Sequence, residues 1–356
     1  MALNLLDEKW MRRCIQLAKN GRQSASPNPM VGAVIVHDDK IIGEGWHREC
    51  GTPHAEVNAV RSVPDSLRRL IPESTIYVSL EPCAHFGRTP PCAEMIVRQG
   101  FRRCVVGCID PFAKVSGRGV EILRRGGVEV TVGVLEKECL ELNRKFVTSQ
   151  TLRRPFVTLK WSRSSDGFID RWRIDELTGA QNPEISAALI STPHTLMRVH
   201  RLRAEHDAIL VGHATLLADR PTLTVRHWSG PNPRRFVLGR IAEGDLPAGF
   251  TAFADIPTLL AAAQAEGIRS LLVEGGAQTL QSFIDAGLWD EAYEELGREP
   301  LGSGVPVPRM PVGVPTDCDT LFGIHIRHYC NLSEFRGLKS AFYRSLQPLN
   351  LHFIGV

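Results

Sequence analysis

Three side chains that commonly bind zinc occur in two short motifs in the first third of the chain. Cys83 and Cys92 each directly follow a proline, and His54 lies upstream in P-H-A-E. A catalytic zinc ion takes three protein ligands and keeps its fourth position for water, which matches this set of one imidazole and two thiols. Glu56 lies two residues past His54, where a carboxylate can pass a proton from that water to a leaving amine. The pattern H-x-E, then P-C, then a second cysteine is typical of zinc deaminases.

Each motif also has a simpler explanation when it stands alone. H-A-E and P-C are both short, and a structural zinc site needs a fourth ligand. Cys50, Cys104 and Cys108 are available. The last two, however, lie in or beside an apolar run that predicts a buried strand, where free thiols are common. Because all three elements occur in order, each at the predicted start of an element, we interpret them as a catalytic zinc site.

The segment between the two cysteines, A-H-F-G-R-T-P-P, predicts a loop over the zinc pocket. The cysteines are nine positions apart, whereas the nucleic-acid deaminase pattern has a spacing of about three. His85 and Arg88 in this loop can reach an anionic or hydrogen-bonding substrate, although a solvated loop explains them equally well. Asn28, in S-P-N-P, and His47, after the second predicted strand, are candidates to contact the substrate's base or sugar. Each of these two alone also fits a structural role.

Length and composition predict a soluble globular protein of two domains. The chain has 356 residues, of which 43% are hydrophobic and 23% charged, and this length suggests two domains. A formal net charge of +3 lacks the basic excess of a nucleic-acid-binding protein. We expect no membrane-spanning helix, because no apolar stretch reaches about 18 residues, and no secretory signal, so the cytoplasm is the expected compartment. Nine irregularly spaced cysteines favour metal binding or buried thiols over a disulfide framework.

Strand and helix patterns alternate in the first half, which predicts an α/β layer structure with a largely parallel later sheet. Glu136 to Phe146 predicts one polar helix, and a domain boundary follows near 148–153, which gives domains of 1–149 and 150–356. Helices are predicted at 7–20, 92–99 and 119–125, and a further helix is predicted to start near residue 54. The predicted strands cover 31–36, 41–46, 75–80, 103–108 and 128–132.

The second half contains a candidate phosphate-binding turn. Gly275 and Gly276 follow a predicted strand and precede a predicted helix, so that bare backbone N–H groups and a helix dipole can face an anion. Glycines also serve tight turns, and the pattern is not G-x-G-x-x-G, so a Rossmann dinucleotide site is not indicated. The other predicted elements are strands at 156–161, 207–212, 236–238 and 270–274, a helix at 193–203, a linker at 240–256, and a strand pair after about 316.

Five motifs within residues 5–150 resemble the RibD family of bifunctional riboflavin-biosynthesis deaminase–reductases. They are S-P-N-P-M-V-G-A-V-I-V, G-E-G-W-H, P-H-A-E-V-N-A, L-E-P-C-A-H-F-G-R-T-P-P-C and D-P-F-A-K-V-S-G-R-G. The resemblance implies a cytidine-deaminase-like three-layer domain. The implied substrate is 2,5-diamino-6-ribosylamino-4(3H)-pyrimidinone 5′-phosphate, which loses its 2-amino group as ammonia. The implied ligands of one catalytic Zn²⁺ are His54, Cys83 and Cys92, with Glu56 as the proton shuttle.

The second half resembles the reductase part of the same family through R-P-F-V-T-L-K-W-S, R-L-R-A-E-H-D-A-I-L-V-G, L-T-V-R, L-L-V-E-G-G and L-G-S-G-V. The resemblance implies a dihydrofolate-reductase-like domain that uses NADPH to reduce the ribosyl group to ribityl. The residues that it implies for NADPH are Thr215, Asp219, Gly275 and Gly276. Those that it implies for the substrate are Lys160, Arg203, Leu223, Arg226 and Glu274.

Elementary chemistry supports three of these implied roles. A guanidinium fork matches phosphate oxygens, so Arg203 and Arg226 suit a ribose phosphate. Lys160 can orient or protonate the sugar carbonyl oxygen as the hydride arrives. A surface ion pair is the simpler explanation for any one of these residues taken singly.

The second half also departs from the family's pattern. Leu189 stands where a Trp is frequent, Arg220 replaces a second acid after Asp219, and Gly239 replaces an Asp after F-V-L. The stretch E-A-Y-E-E-L carries two acids, Glu294 and Glu295, where an apolar strand is expected.

The leading hypothesis is therefore a two-step enzyme that acts on a phosphorylated pyrimidine, a small molecule, with no nucleic-acid or membrane partner. We also expect a homo-oligomer. Three alternatives stay open: a deaminase with a weakened or inactive reductase half, a nucleic-acid deaminase, and a zinc-stabilised scaffold without activity.

Overall fold

The computed structural model describes residues 2–84, 90–111, 116–173, 182, 185–242, 244–312 and 317–331. His85 and Arg88, which the sequence places in the loop between the two cysteines, lie outside the described residues. The described part of the chain forms one five-stranded sheet, one eight-stranded sheet and a two-stranded ribbon.

The first half is built on the five-stranded sheet, whose strand order is β2-β1-β3-β4-β5. Strand β1 is antiparallel to β2 and β3, and β3, β4 and β5 are parallel to one another. The predicted hairpin and parallel later sheet are both confirmed. In chain order the elements are α1 (Ala2–Ala18), a 3-10 helix (Lys19–Gly21), β1 (Gly32–His37), β2 (Lys40–Trp46), α2 (Ala55–Ser62), a second 3-10 helix (Asp65–Glu73), β3 (Thr75–Leu80), α3 (Cys92–Arg98), β4 (Arg103–Cys108), α4 (Arg118–Arg125) and β5 (Glu129–Val132).

Helices cover both faces of this sheet because apolar side chains line both sides of its strands. Ile35 and Val78 pack in one buried cluster with side chains of α2, α3 and α4. Their neighbours in the chain, Val34 and Tyr77, point to the opposite face and pack with side chains of α1, as the period of two along a strand requires. The result is the predicted three-layer arrangement of helix, sheet and helix.

The connection between the halves differs from the prediction of one polar helix over Glu136–Phe146. Two helices are present, α5 (Glu136–Leu142) and α6 (Arg144–Thr151), and Asn143 lies between them. The backbone of Asn143 leaves the helical region at φ −108° and ψ 20°. Its side chain instead bonds the backbone of Met30, with Met30 N–H to Oδ1 and Nδ2 to Met30 O both at 2.8 Å. This distant contact interrupts the helix.

The second half is built on the eight-stranded sheet, with strand order β10-β9-β8-β11-β6-β12-β15-β14. The six strands from β10 to β12 are parallel, and β15 and β14 add an antiparallel edge. In chain order the elements are β6 (Phe156–Arg163), β7 (Phe168–Asp170), α7 (Pro193–Ala204), β8 (Ala208–Gly212), α8 (His213–Asp219), β9 (Arg234–Leu238), β10 (Phe250–Phe253), α9 (Ile256–Ala265), β11 (Ser270–Val273), α10 (Ala277–Asp285), β12 (Glu291–Leu296), β13 (Val305–Pro306), β14 (Asp317–Leu321) and β15 (Ile324–Cys330).

Two predictions for this half have different outcomes. The strand pair expected after residue 316 is confirmed as β14 and β15. The segment 240–256, interpreted as a linker, contains the edge strand β10. Strand β10 was missed because it is short and half-exposed, with no run of buried apolar residues.

Two apolar clusters sandwich the parallel part of this sheet. Leu210 and Val273 pack on one face with side chains of α9 and α10. Ile209 and Leu272 pack on the other face with Leu216 of α8 and with Leu223. Because the six strands β10, β9, β8, β11, β6 and β12 are parallel, their carboxyl ends all lie at one edge of the sheet. Open α/β sheets bind ligands at that edge.

The two halves are joined by polar contacts as well as by α6. Ser26 Oγ donates to Asp207 Oδ1 at 2.6 Å, and Lys145 Nζ donates to the Glu205 carbonyl at 2.5 Å. Arg144 of α6 forms an ion pair of 2.6 Å with the buried carboxylate of Glu291 on β12. Between the halves lies a cleft of about 1450 Å³. Helix α6 runs through residue 149, and the boundary at 149/150 stays a prediction.

Candidate active sites

The three predicted zinc ligands come together at the ends of three elements. His54 is the residue before α2, Cys92 is the first residue of α3, and Cys83 lies in the loop that follows β3. The Cys83 loop is held against α3 by two contacts, because Ala93 N–H donates to Cys83 O at 3.2 Å and Cys92 N–H donates to Cys83 Sγ at 3.3 Å. Helix starts and strand ends thus position all three side chains.

The spacing of the three donor atoms fits a single zinc ion. His54 Nδ1 lies 3.5 Å from Cys83 Sγ and 3.4 Å from Cys92 Sγ, and all three ligand atoms lie within 4.8 Å of one another. Tetrahedral zinc with bond lengths of about 2.0 Å to nitrogen and 2.3 Å to sulfur separates these two ligand types by about 3.6 Å. One imidazole nitrogen and two sulfurs also match the donor preference of zinc, so the residues present fit the ion.

The pKa values of the two thiols shift in opposite directions. The hydrogen bonds that Cys83 Sγ receives from Cys92 and His54 lower the pKa of the Cys83 thiol. The same contact with Cys83, together with burial, raises the pKa of the Cys92 thiol. Such a pair loses its remaining proton when a cation binds, since zinc takes thiolates.

Glu56 lies in the first turn of α2, two residues past His54. Its side chain is only 3% exposed, and it contacts the thiol of Cys92. Burial raises the pKa of Glu56 to about 6, although the charge of His54 acts in the opposite direction. A buried carboxylate beside three metal ligands has the placement that a proton shuttle needs.

Asn28 and His47, predicted to contact substrate, contact each other beside the zinc ligands. Asn28 Nδ2 donates to His47 Nε2 at 3.1 Å, and His47 Nδ1 donates to the Pro53 carbonyl at 3.3 Å. The rings of His47 and His54 meet edge to face with centroids 5.4 Å apart. Burial lowers the pKa of His47, which agrees with a neutral ring that accepts one hydrogen bond and donates another.

Sequence reasoning missed Glu81, which precedes Pro82 and Cys83. Its buried carboxylate accepts four backbone N–H groups, and Gly119 comes so close to Pro82 that a methyl group at Gly119 would overlap the Pro82 carbonyl. The sequence signal that could have identified Glu81 is its position between an apolar strand and Cys83, a predicted zinc ligand. Glu81 therefore fixes the start of α4 beside the cysteine loop. The four donors are Asp110 (3.2 Å), Gly117 (2.9 Å), Gly119 (2.8 Å) and Val120 (3.2 Å).

The predicted phosphate-binding turn, Gly275-Gly276, lies at the carboxyl end of β11. A Cβ added to Gly275 would stand 2.5 Å from Val211 Cα and 2.6 Å from Gly212 N, so only glycine lets this turn approach β8. Gly276 is the residue before α10, has φ +22°, and a Cβ added to it would lie 3.1 Å from Thr215 Oγ1. The structure therefore brings three of the four residues predicted for NADPH to one corner.

Asp219, the fourth, lies at the end of α8 and forms an ion pair of 2.5 Å with Arg173. Two of the departures from the family pattern, Arg220 and Gly239, lie next to α8. Arg220 follows the last residue of α8 with φ 42°, and Gly239 has φ 132°, where an added Cβ would lie 2.8 Å from His213 Cβ. Leu189 is 86% exposed.

The predicted substrate residues of the second half are only partly together. Arg203 and Glu274 form a two-point ion pair, with Nε–Oε1 at 2.9 Å and Nη2–Oε2 at 2.6 Å. Arg203 Nη1 also donates to Thr224 O at 3.2 Å. Arg226 is exposed and bonds Thr222 and Thr224. Leu223 is 3% exposed, and its side chain lies in the apolar core.

Lys160 lies on β6 and its side chain is mostly buried. Its ammonium group donates to Ser162 Oγ at 2.8 Å and lies 3.7 Å from Glu295 Oε2. Burial raises the pKa of Glu274. The charge of Arg203 lowers that pKa, and the charge of Lys160 lowers it to a smaller extent. Lys160, Arg203 and Glu274 thus form one electrostatic group at the strand ends.

Comparisons with known proteins match each half of the chain to a known domain family. A cytidine and deoxycytidylate deaminase zinc-binding region matches residues 5–108, and a RibD C-terminal domain matches residues 155–293. The chain is 36% identical over 334 residues to the riboflavin biosynthesis protein RibD of Aquifex aeolicus, which covers 85% of this chain and 90% of that one. The present chain therefore belongs to the RibD family. The RibD of Bacillus amyloliquefaciens is 34% identical over 324 residues, with 81% and 83% of the two chains covered.

Solved structures of RibD proteins have the same architecture. An Acinetobacter baumannii RibD superposes with a TM-score of 0.79 at 31% identity, covering 92% of this chain and 99% of that one. The diaminohydroxyphosphoribosylaminopyrimidine deaminase/5-amino-6-(5-phosphoribosylamino)uracil reductase of Thermotoga maritima gives 0.80 at 32% identity, covering 91% and 98%. The predicted fold is confirmed: a cytidine-deaminase-like half precedes a RibD-type, dihydrofolate-reductase-like half. Within the described residues, no helix is both long and apolar enough to cross a membrane.

Proposed function

We propose that this member of the RibD family catalyses two consecutive steps of riboflavin biosynthesis. The first is the hydrolytic deamination of 2,5-diamino-6-ribosylamino-4(3H)-pyrimidinone 5′-phosphate, and the second is the NADPH-dependent reduction of the ribosyl side chain to ribityl. One observation carries the proposal: His54, Cys83 and Cys92 converge with buried Glu56 in a chain whose second half matches a RibD C-terminal domain over residues 155–293.

In the deamination, His54, Cys83 and Cys92 hold zinc. When bound, zinc supplies Lewis-acid activation of a water molecule. Glu56 accepts a proton from that water and delivers it to the leaving amino group, which departs as ammonia. Asn28 and His47, linked by a hydrogen bond of 3.1 Å, line the approach to the ligands and bind the pyrimidine or its sugar.

His85 and Arg88 complete the substrate-binding set of this half, as the sequence predicts for the loop between the cysteines. A cationic arginine there suits the 5′-phosphate of the substrate. This assignment rests on the family's motif alone.

In the reduction, NADPH supplies the hydride. Gly275 and Gly276 would hold a phosphate of the cofactor at the N-terminus of α10, with Thr215 beside the turn. Asp219, at the end of α8, completes the set that the family motif implies for NADPH. Lys160 gives a proton to the sugar oxygen as the hydride reaches the sugar carbon. A separate set of residues binds the phosphorylated substrate, namely Arg203, Leu223, Arg226 and Glu274.

Replacing Glu56 by Gln tests the first step. The amide has the size of the carboxylate and cannot shuttle the proton, so E56Q should bind one equivalent of zinc and lose ammonia release by roughly 100-fold or more. Exposed Glu73 supplies the matched control, because E73Q removes the same charge far from the ligands. Ammonia release by zinc-loaded E56Q at the wild-type rate would contradict the proposal.

A deaminase with a weakened reductase is the rival within the same family. The two-point Arg203–Glu274 pair and the placement of Lys160 favour a working reductase over that rival. NADPH oxidation by the purified, zinc-loaded protein given the deaminated intermediate separates the two. The same assay with NADH measures the cofactor preference that Leu189, Arg220 and Gly239 affect. A homo-oligomer in the cytoplasm is part of the proposal, and sedimentation equilibrium tests the oligomer.

A further inference from the structure

A buried carboxylate that the family motif does not include lies beside Lys160. Glu295 is on β12, directly opposite Ser162 of the parallel neighbour β6, and Tyr293 is opposite Lys160. Because side chains alternate along a strand, Lys160, Ser162 and Glu295 share one face of the sheet. The side chain of Glu295 is 3% exposed, so its charge needs partners within the protein.

Three hydroxyl groups satisfy this carboxylate. Thr195 Oγ1 donates to Oε1 at 2.6 Å, and Ser162 and Ser191 donate to Oε2 at 3.0 and 2.8 Å. The hydroxyls come from β6, from the segment before α7 and from α7 itself. Hydrogen bonds from three separate segments fix both oxygens of Glu295, and hydrogen bonds to a charged acceptor are the strong ones.

Ser162 connects this fixed carboxylate to Lys160. The Lys160 ammonium donates to Ser162 Oγ at 2.8 Å, and the Ser162 hydroxyl donates onward to Glu295 Oε2. The ammonium itself lies 3.7 Å from the same oxygen. One of the three N–H donors of Lys160 is therefore directed at Ser162, which determines where the other two point.

The adjacent acid on the same strand has a different environment. Glu294 points to the opposite face, where it meets Arg163 Nε at 3.2 Å, Arg327 Nη1 at 3.3 Å and the Tyr329 hydroxyl at 2.8 Å. Glu294 and Glu295 are both buried acidic residues and are neighbours in the chain, yet of the two only Glu295 is within ion-pair distance of Lys160. The two residues form a natural matched pair for an experiment.

We propose that Glu295 is a positioning residue for the reduction, which aims the Lys160 ammonium at the sugar oxygen through Ser162. This inference rests on the proposed function of Lys160 as the proton donor. In that step the hydride from NADPH forms a new C–H bond at the sugar carbon C1′. The bond from C1′ to the ring oxygen breaks, and its electron pair stays on the oxygen. That oxygen takes a proton from Lys160, which regains one from solvent.

The test is the reductase activity of E295Q with the deaminated intermediate. Glutamine keeps the size of the side chain but removes its negative charge, so the Lys160 ammonium loses its fixed counter-charge. Misplacing a reacting group by about 1 Å costs about 100-fold, and we expect kcat to fall by that order while KM for NADPH and ammonia release stay at wild-type values. E294Q removes a charge from the same strand and should keep the wild-type kcat. A wild-type kcat for E295Q, or an equal loss in E294Q, would overturn the inference.

Two further variants separate this inference from the proposed function beneath it. K160M should slow reduction more strongly than E295Q does while leaving a measurable residual rate, and a wild-type rate in K160M would show that the proton-donor role of Lys160 is wrong. In the K160M background, E295Q should cause no additional loss, because a positioning residue acts only through its target. An additional loss there contradicts the inference and leaves the role of Lys160 intact. S162A removes the bridging hydroxyl while keeping both charges, and it should lower kcat even if E295Q fails to fold.

Discussion

The Arg203 guanidinium and the Glu274 carboxylate form a two-point ion pair that joins α7 to the end of β11, with distances of 2.9 and 2.6 Å. Burial raises the pKa of Glu274, but the charge and hydrogen bonds of Arg203, together with the charges of Lys160 and His200, lower it by more, and the net shift is downward. Both side chains are nearly buried, with 12% and 10% exposed. The pair therefore fixes the wall of the reductase site before any ligand binds.

Replacing one partner of this ion pair should lower the stability of the protein more than replacing both partners. R203L leaves the buried Glu274 carboxylate without its main partner, so we expect the free energy of unfolding to fall by about 3–5 kcal/mol. The double variant R203L/E274L removes both charges and should lose less than R203L alone. Urea unfolding of the two single variants and the double variant measures the coupling. Additive losses would show that the ion pair makes no contribution of its own.

The stability of the region around Arg226 should decrease in acid because of His200. Burial lowers the pKa of His200 to about 4, with the charges of Arg203, Arg226 and His227 acting in the same direction and Glu274 opposing them. His200 Nδ1 accepts the Arg226 N–H at 2.9 Å, so the fold requires the neutral ring.

The unfolded chain takes up this proton near pH 6.5, whereas the folded chain takes it up near pH 4. The contribution of His200 is therefore complete above about pH 6.5 and is lost as the pH falls toward 4. H200Q keeps an acceptor without an ionisable group, and it should flatten the pH dependence of urea unfolding in this window. An unchanged slope in H200Q would contradict the assignment.

Gly275 should not tolerate even a methyl group. Its added Cβ would lie 2.5 Å from Val211 Cα and 2.6 Å from Gly212 N, so G275A must push the turn away from β8. We expect a loss of stability of about 1–3 kcal/mol and weaker NADPH binding in a fluorescence titration. The deaminase rate should be unchanged. A214S, on the exposed side of α8, is the control, and wild-type NADPH affinity in G275A would contradict the account.

Asn143 should contribute to stability through the backbone of Met30. N143A removes both hydrogen bonds of 2.8 Å to the partly buried backbone of Met30, and losing the partners of such groups costs about 1–3 kcal/mol each. N143D keeps the acceptor for the Met30 N–H but loses the donor to the Met30 carbonyl. This variant should also be less stable, because it buries a carboxylate charge. Thermal unfolding compares both variants with wild type. An unchanged melting temperature for N143A would show that the contact is dispensable.

The sequence predicts the elements well where the signal is local. The bounds of β3 and β4, Thr75–Leu80 and Arg103–Cys108, agree with the predicted strands because each is a β-branched, apolar run with polar flanks. The zinc ligands are predicted for a similar reason, since His54, Cys83 and Cys92 each lie at an element end that their flanking residues define.

Features that depend on distant contacts are not predictable in this way. The break between α5 and α6 comes from Asn143 bonding Met30, which lies 113 residues away in the chain. Buried Glu295 contradicts the apolar pattern of a central strand, and only the fold brings Thr195, Ser191 and Ser162 to its carboxylate. The side chain of Leu223 lies in the core because α7 and α8 cover it, and a motif of four residues carries no information about that packing.

The measurement that tests the central claim most directly is a single assay with zinc-loaded wild-type protein, the diaminopyrimidine substrate and NADPH. The account predicts that ammonia is released first, that NADPH oxidation follows after a lag, and that both reach equal final amounts. E56Q should show neither signal with this substrate, yet oxidise NADPH at the wild-type rate when given the deaminated intermediate. Ammonia release without NADPH oxidation by the folded wild-type protein, or NADPH oxidation by E56Q from the first substrate, would contradict the two-step account.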